Sequence, residues 1–521
     1  MQLTNMKKSI IAAVLLLFVL SVTAQKLTIE NVHKVTLRNT DAIKEGTEVK
    51  GYYFFYVSDK IDKKTNEYTL RITDNNLKVL KDIKMVDSKD VTILESSFNG
   101  SDLIFLFYND DALTFDYQVY GADGKKKYSY QRQLSKKERR YLENTYFQMD
   151  DDENNFKGIY PIDGRGFISN TPSREDKDYT FQVDYFSSQK RKQWSYIPTI
   201  GAKKFIGDYL GTFNGVVFLE VLKFGGMMDG KPDSYVVGLD LETGKQLFEK
   251  STDEGKYKFY PASMSILNGD KAFLFGEYFD PNGNIIKDKS HGFAFIGMDE
   301  KGKIVSEKYC GWDLELGKFL DVTSKGKIAD FGFMYLHNMF QTSNGDIYAV
   351  GEGFMKVASA LGIASTVLSG GRQSGISNVK VKVTDLLLIK FDKDFNVKEA
   401  KIYEKNPNRQ ELPSGMEFVS TPLIGKLLKY SYGEFDYSYT QMNKDNTAFT
   451  VCYSDYVKGK GYKGSTFNAI SYNDGKITTD KINTKSDATR SSVLPAQQGQ
   501  VLILDYYKKD KRLDAHFEKL N

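Results

Sequence analysis

A chain of 521 residues with 72 Lys and Arg against 68 Asp and Glu carries a formal charge of only +4, too balanced to attract nucleic acid through its global field. Two cysteines, Cys310 and Cys452, exclude a disulfide-built scaffold, and their spacing does not decide whether they are bonded. So long a chain builds its core from apolar burial instead.

The chain opens with Lys7 and Lys8, an apolar run over residues 10–22, and small residues at Val22 and Ala24. These are the three parts of a secretory signal, and about 13 apolar residues fall short of the roughly 20 that span a bilayer. The expectation is a Sec signal peptide over residues 1–24, cut after Ala24, and a mature chain in the periplasm or outside the cell. No cysteine at the cut invites a lipid anchor, and no later segment reads as a membrane span. Loss of the two leader lysines leaves a charge of +2.

Beyond the leader, aromatic residues make up 14% of the chain and there are only ten prolines, while the apolar segments are short and rich in Val, Ile, Phe and Tyr, which is strand chemistry. A turn pair followed by four to eight strand formers recurs at Asn99-Gly100, Asp163-Gly164, Asn214-Gly215, Asn268-Gly269, Asn344-Gly345, Asp445-Asn446 and Gln498-Gly499. Several of these spacings fall between about 50 and 65 residues, within or a little above the length of one four-stranded propeller blade. A second turn falls inside most repeats, as at Asp123-Gly124, Thr243-Gly244, Lys301-Gly302 and Asp474-Gly475. Each repeat reads as strand a, tight turn, strand b, longer loop, strand c, tight turn, strand d. With the opening segment around Gly51 the count is seven to eight four-stranded blades, eight favoured, over residues 25–521. The last repeat lacks a strand, which residues 27–37 would supply. A seven-bladed ring with an extra hairpin, or two stacked sandwiches, remain as alternatives.

One stretch departs from the strand pattern. Ser135, with Glu138 three residues on, forms a capping box ahead of a helical pattern, which predicts a short helix between blades 2 and 3 with its KKERR run solvated.

Residues 236–249, with Asp240, Thr243, Gly244 and Lys245 in register and Phe248 where Trp is usual, resemble the repeat of PQQ-like propellers; the likeness covers one repeat and implies architecture, not a quinone site. As a whole the chain resembles an uncharacterised bacterial family of secreted β-propeller repeat proteins. WD40, kelch and Asp-box signatures are absent.

In this reading the a–b and c–d turns are tight, whereas b–c and d–a connections are long and leave from one face, so binding is expected there. The b–c loops are placed at 109–112, 170–178, 224–233, 280–291, 354–384 and 454–464. From them come the candidate ligand-binding residues: Asp110, Asp111, Arg174, Met227, Met228, Asp229, Lys231, Asp280, Asn282, Asp288, His291, Arg372, Tyr456, Lys458 and Tyr462. Asp280, Asn282, Asn284 and Asp288 stand at EF-hand spacing. Ile285 replaces the required Gly and His291 the bidentate Glu, so a polar turn is expected and no metal site. The acidic run at 150–153 reads as a solvated loop. The insertion at 354–384 in blade 6 has Phe354, Val357, Leu361, Ala364 and Leu368 at near-helical spacing, which predicts a helix plugging the central opening or, failing that, a partner or membrane-surface contact.

Catalytic patterns are missing. His33, His291, His337 and His516 form no zinc spacing, GGRQSG around Ser374 is no nucleophile elbow, and GLDLETGKQ is no phosphate loop. Neither a cofactor nor a catalytic residue is assigned. The expectation is an exported propeller that binds a protein or glycan. The alternative is a carbohydrate-active or other hydrolytic enzyme using paired carboxylates on the long-loop face.

Overall fold

The computed structural model describes residues 26–520 apart from 146–156, 176–177, 199–203, 227–229, 362–363, 365–375, 414–415, 459–462 and 485–486. The expected leader lies outside the described residues. The chain divides into two units, Met1–Lys89 with Lys485–Asn521, and Asp90–Thr484.

The first unit holds two antiparallel sheets. Sheet 1 comprises Lys34–Val35 and Asp41–Glu45, both paired to Glu48–Lys60, followed by Thr65–Asp74 and Val79–Ser88. Sheet 8 takes Arg490–Pro495, Gln500–Tyr507 and Arg512–Lys519 from the end of the chain and its fourth strand, Lys26–Ile29, from the beginning. The completing strand is shorter than the expected 27–37. Asn31, at φ 61°, turns the chain, and Lys34–Val35 joins sheet 1 opposite Tyr56 and Val57. Tyr52, Phe54 and Tyr56 of sheet 1 share one core with Leu502, Leu504 and Leu513 of sheet 8.

The second unit holds six sheets in chain order. Sheet 2 is Val91–Phe98, Asp102–Asn109, Thr114–Gly121 and Lys126–Gln133. Sheet 3 is Ile159–Ile162, Gly166–Glu175, Asp178–Ser187 and Lys192–Tyr196, and sheet 4 is Lys204–Phe213, Val216–Phe224, Asp233–Asp240 and Gln246–Ser251. A single parallel pair, Tyr179 with Lys204, joins those two. Sheet 5 is Lys258–Leu267, Lys271–Phe279, Gly292–Met298 and Ile304–Gly311. Sheet 6 is Phe333–Gln341, Ile347–Ala358, Ile376–Phe391 and Val397–Tyr403, with Asn408–Pro413 added beside its third strand. Sheet 7 is Tyr437–Met442, Phe449–Lys458, Lys463–Asn473 and Lys476–Asn483.

Why the inner strands read as unbroken apolar runs follows from their two covered faces. In VVFLEVLKF, Val217, Leu219 and Val221 pack toward sheet 3, and Val216 and Phe218 toward sheet 5. Sheet 6 repeats the device: Ile347, Ala349, Leu387 and Ile389 meet Phe273, Phe275 and Phe295 of sheet 5, and Tyr348, Val350, Leu386 and Leu388 meet Phe449 and Val451 of sheet 7. Each such side chain, fully buried, is worth roughly 1.5–3 kcal/mol. Within this unit the first strands of sheets 2 and 3, 4 and 5, and 5 and 6 run beside one another. Repeated four-stranded meanders stacked face to face make the fold all-β, of the β-propeller class, with eight blade sheets among the described residues.

The turns obey their sequence. Asn214 at φ 46° and Gly215 at φ 78° make the two-residue hairpin of sheet 4, a backbone in which both positions need the left-handed region. The predicted helix forms as α1, Lys136–Thr145, between sheets 2 and 3. Its capping box closes both ways: the Glu138 amide donates to Ser135 Oγ at 3.1 Å, and the Ser135 amide to Glu138 Oε2 at 2.8 Å. Lys136, Lys137 and Arg140 are exposed as expected, while Glu138 is buried against Arg132.

The insertion differs from its reading. Phe354 and Val357 belong to the second strand of sheet 6, opposite Val383 and Lys380. The 16-residue third strand extends far enough to pair with them, so a ladder wins over the helical spacing. Helical backbone begins only at Ala360, Leu361 is exposed, and Leu368 lies outside the described residues.

Candidate functional site

Beyond Val397–Tyr403 the chain makes its longest excursion, residues 404–436, before entering sheet 7. It runs along sheet 6, passes a short 3-10 turn at Met416–Phe418, and enters α2, Thr421–Leu427, with Pro422 in the first turn where its missing N–H costs nothing. The helix passes into a π-helical turn, Leu428–Tyr432, that ends at Gly433 with φ 63°. The Ser420 hydroxyl and amide donate to the carbonyls of Ile285 and Ile286, tying the helix start to the 280–291 loop. Gly425 permits the close approach: a Cβ there would stand 2.3 Å from Tyr335 Cδ2. Ile424 and Leu428 pack with Tyr335, Phe354, Val381 and Leu412 of sheet 6, and Leu423 reaches Leu222, Tyr260 and Phe279 of sheets 4 and 5. This excursion lays a helix against the first strands of sheets 4, 5 and 6.

It brings buried charge with it. Lys426 Nζ lies 2.6 Å from Asp208 Oδ2 and 3.1 Å from Glu220 Oε2, and 4.8 Å from the centre of the Tyr260 ring. Burial raises the Glu220 carboxyl to about 7, against the pull of Lys426 and with the help of Asp208, and its Oε1 has no hydrogen-bond partner. The two carboxylates hold the Lys426 ammonium well above the ordinary lysine range despite its burial. One turn on, Lys429 donates to the His337 carbonyl at 3.4 Å, above the Tyr335 and Tyr430 rings. Burial, with the charges of Lys157 and Lys426, lowers it to about 8.

A second cluster surrounds the start of sheet 7. Lys405, fully buried, lies 3.3 Å from Glu352 Oε1 and 2.5 Å from Asp436 Oδ2, and His337 Nε2 lies 3.0 Å from Glu352 Oε2. Glu352 accepts the amides of Asp436 and Tyr437 at 3.1 and 2.9 Å. Burial alone would raise the Glu352 carboxyl, but His337, Lys405 and the Tyr437 amide hold it below the usual range. Asp436 rises to about 6, chiefly by burial, and burial lowers His337. On sheet 5, Glu277 is buried with the Ser290 hydroxyl donating to it, and burial raises it to about 8. Among the described residues no group of three or more His, Cys, Asp or Glu is placed to hold a metal ion. Lysines stand where a cation would.

Of the residues expected at the binding face, the structure gathers five. Lys231 Nζ donates to the Asn282 carbonyl at 3.4 Å, His291 Nε2 lies 3.2 Å from Asp280 Oδ2, and Asp288 accepts the Asn284 amide at 2.6 Å. Asn284 turns its side chain to the Gly230 carbonyl at 2.8 Å, so the groups at EF-hand spacing build the turn itself. Elsewhere Asp110 is held by Arg139 at 2.9 Å and by the Tyr108 hydroxyl, and Asp111 is exposed in the adjoining turn. Arg174 lies in a strand, not a loop, its guanidinium 4.6 Å from the Tyr179 ring. The same strand pairing absorbs most of the expected 170–178 loop. Tyr456 is exposed near the end of Phe449–Lys458. Met227, Met228, Asp229, Arg372 and Tyr462, the Lys458 side chain and the 150–153 run lie outside the described residues. Cys310 and Cys452 are both free thiols, buried.

Sequence reasoning missed Lys405, Lys426, Lys429, Glu220, Glu352 and Asp436. A signal was present: Glu220 in VVFLEVL and Glu352 in YAVGEGF are charges inside apolar strands, and a buried charge requires a partner. Ser420-Thr421-Pro422 is likewise a helix start.

Three solved structures illustrate what the chain is similar to. A quinohemoprotein alcohol dehydrogenase from Pseudomonas putida HK5 has a TM-score of 0.43 and 9% identity, over 92% of this chain and 75% of that one. Prolyl oligopeptidase B from Galerina marginata has a TM-score of 0.38 and 10% identity, over 92% of this chain and 56% of that one. The WD40 domain of SCAP from fission yeast has 0.36 and 9%, over 94% of each. At such scores these likenesses say nothing of ligand or activity. No curated protein matches the sequence. A family match covers residues 6–521, and the chain belongs to the Family of unknown function (DUF6770).

Proposed function

We propose that the protein is an exported binding module, cut after Ala24, that holds a protein or glycan on the long-loop end of its second unit, around the 404–436 excursion. The observation that carries this reading is the commitment of the carboxylates around the excursion: half-exposed Asp208 and buried Glu220 to Lys426, Glu352 and Asp436 to Lys405. Hydrolysis by two acids needs a pair facing each other across roughly 5–10 Å with substrate between them, and internal lysines fill that place here. What the same end leaves open is apolar: Leu361 on the insertion is 56% exposed and Phe418 on the excursion 72%. Lys356 of the second strand donates to the Val419 carbonyl at 2.7 Å, fixing Phe418 beside the end of that strand. Large exposed apolar side chains on scaffolded loops fit a recognition surface.

The test pairs capture with turnover. Cross-linking in the native host should recover a partner with the wild type and lose it with Leu361→Asp and Phe418→Asp, both folding normally. Turnover on a glycoside or peptide panel that vanishes in Asp208→Asn or Glu220→Gln would favour the hydrolase instead. Sequencing of the mature amino terminus tests the cut.

A further inference from the structure

The first unit carries a separate feature, independent of the 404–436 excursion and of the function proposed for it. In sheet 1 residues 61–64 join Glu48–Lys60 to Thr65–Asp74, and in sheet 8 residues 508–511 join Gln500–Tyr507 to Arg512–Lys519. The segment between Ile29 and Lys34 draws these two turns together. The Val32 amide donates to the Lys511 carbonyl at 2.7 Å and the His33 amide to the Val57 carbonyl at 2.9 Å. Burial, then the charges of Lys511 and of Lys60 at the end of Glu48–Lys60, lower the His33 imidazole. The Lys89 amide donates to the Lys64 carbonyl at 2.8 Å, adding a further lysine at the edge.

Lys60, Lys63, Lys64, Lys89, Lys508, Lys509 and Lys511 are all exposed on this end. Five acids, Asp59, Asp62, Asp87, Asp90 and Asp510, lie in the same segments against these seven lysines, which leaves a local excess of positive charge. Asp59 accepts the Lys60 amide at 2.8 Å, Asp62 the Lys64 amide at 2.7 Å, and Asp510 lies 3.8 Å from Arg512. The chain as a whole is nearly neutral, so this concentration is a local property of two turns. In the first turn Ile61 is 52% exposed, an apolar side chain with Lys60, Lys63 and Lys64 close by in the sequence.

We propose that this end of the first unit docks on an anionic lipid surface, with the lysines facing headgroup phosphates and Ile61 entering the interface. Lysines on protruding turns supply point charges suited to a diffuse layer of phosphates, whereas recognition of one bound anion favours the planar fork of Arg. An exposed aliphatic tip among ammoniums is what an interface of apolar chains beneath charged headgroups accommodates, and neither a polysaccharide nor a nucleic acid has use for it.

Sedimentation with vesicles tests the proposal, using the chain from Gln25 onward and phosphatidylcholine vesicles with or without phosphatidylglycerol. The wild type should bind the anionic vesicles at least about fivefold better than the neutral ones, and lose that preference when NaCl is raised from about 0.1 to about 0.5 M. Lys63→Glu, Lys64→Glu, Lys509→Glu and Lys511→Glu together should abolish it, and Ile61→Asp should weaken it at unchanged salt dependence. Reversal of Lys136 and Lys137 on α1, equal in sign per residue but remote in the chain, should change nothing. If the fourfold variant melts early, the Lys63→Gln, Lys64→Gln and Lys509→Gln, Lys511→Gln pairs replace it and should each give a partial loss. Equal binding to neutral vesicles, or equal loss on reversing Lys136 and Lys137, overturns the proposal. So does tight binding of soluble dextran sulfate that is indifferent to Ile61→Asp while vesicles are ignored, which would point to an anionic glycan.

Discussion

The Lys426 ammonium stands 2.6 Å from Asp208 Oδ2, across 218 residues of chain, and fastens α2 to the first strand of sheet 4. Because Glu220 shares the same cation, removing Lys426 leaves two carboxylates facing each other with nothing between them. Breaking a buried ion pair from one side typically costs about 3–5 kcal/mol. Lys426→Met should therefore lower the unfolding free energy by about 3 kcal/mol at pH near 8, and by clearly less at pH near 5.5, where Glu220 takes up a proton and one charge disappears. Urea titrations at the two pH values check it, and an equal loss at both would contradict the assignment.

Glu277 offers a cleaner pH experiment, since no lysine answers it. Its carboxyl goes from an ordinary value of 4.5 to about 8 in the folded chain, chiefly by burial. Between those values the folded protein keeps a proton the unfolded chain has lost, so stability is highest below 4.5, falls as pH rises through the window, and levels off above about 8. Glu220 and Asp436, raised to about 7 and about 6, add slopes of the same sign. Glu277→Gln mimics the protonated group. Guanidinium melts should show it within about 1 kcal/mol of wild type near pH 5 and more stable by roughly 2 kcal/mol near pH 9.

Removing Lys26–Ile29 takes the outer strand from sheet 8. Asp514, buried, then loses the Lys26 ammonium at 3.0 Å and the Thr28 hydroxyl at 2.9 Å, and Ile29 leaves the core it shares with Leu513. The exposed edge of Arg512–Lys519 also becomes a template for pairing with another chain. The deletion should lower the melting midpoint by about 5 °C or more and promote association visible in size-exclusion chromatography; an unchanged midpoint would show that the strand contributes nothing.

Cys310 and Cys452 are buried, and burial raises both thiols to about 12. A thiol must ionise and be reached to react. Ellman's reagent should find neither group in the native protein and both after unfolding, and a reducing agent should leave the melting midpoint where it was.

The repeat was legible because each turn is a local event. Asn214-Gly215 and Asn268-Gly269 adopt positive φ as their residue types require, and the box at Ser135 and Glu138 forms as spelled. The missing strand of the final sheet was legible too, from the open edge it left. The insertion misled because Phe354 and Val357 suit a helix, while the choice at these two was made by a partner strand, Ile376–Phe391, whose reach no local pattern reveals.

The candidate site was mostly hidden for a related reason. Lys405 and Lys426 look like surface residues in their own segments, and only contacts with Glu352 and with Asp208 and Glu220 give them meaning. The 280–291 loop was located correctly by composition, but its acids were spent on shaping the turn, as with Asp288 on the Asn284 amide.

Sheet 8 also fixes an order of events. Thr28 and Asp514, hydrogen-bonded at 2.9 Å, lie 486 residues apart, so the Lys26–Ile29 strand is synthesised long before the strand it pairs with. Every other sheet can assemble as its own residues emerge, whereas this one waits until Arg512–Lys519 has followed Lys26–Ile29. A prematurely terminated product would thus keep a solitary amino-terminal strand in search of a neighbour, which gives quality control a simple mark by which to tell whole molecules from fragments.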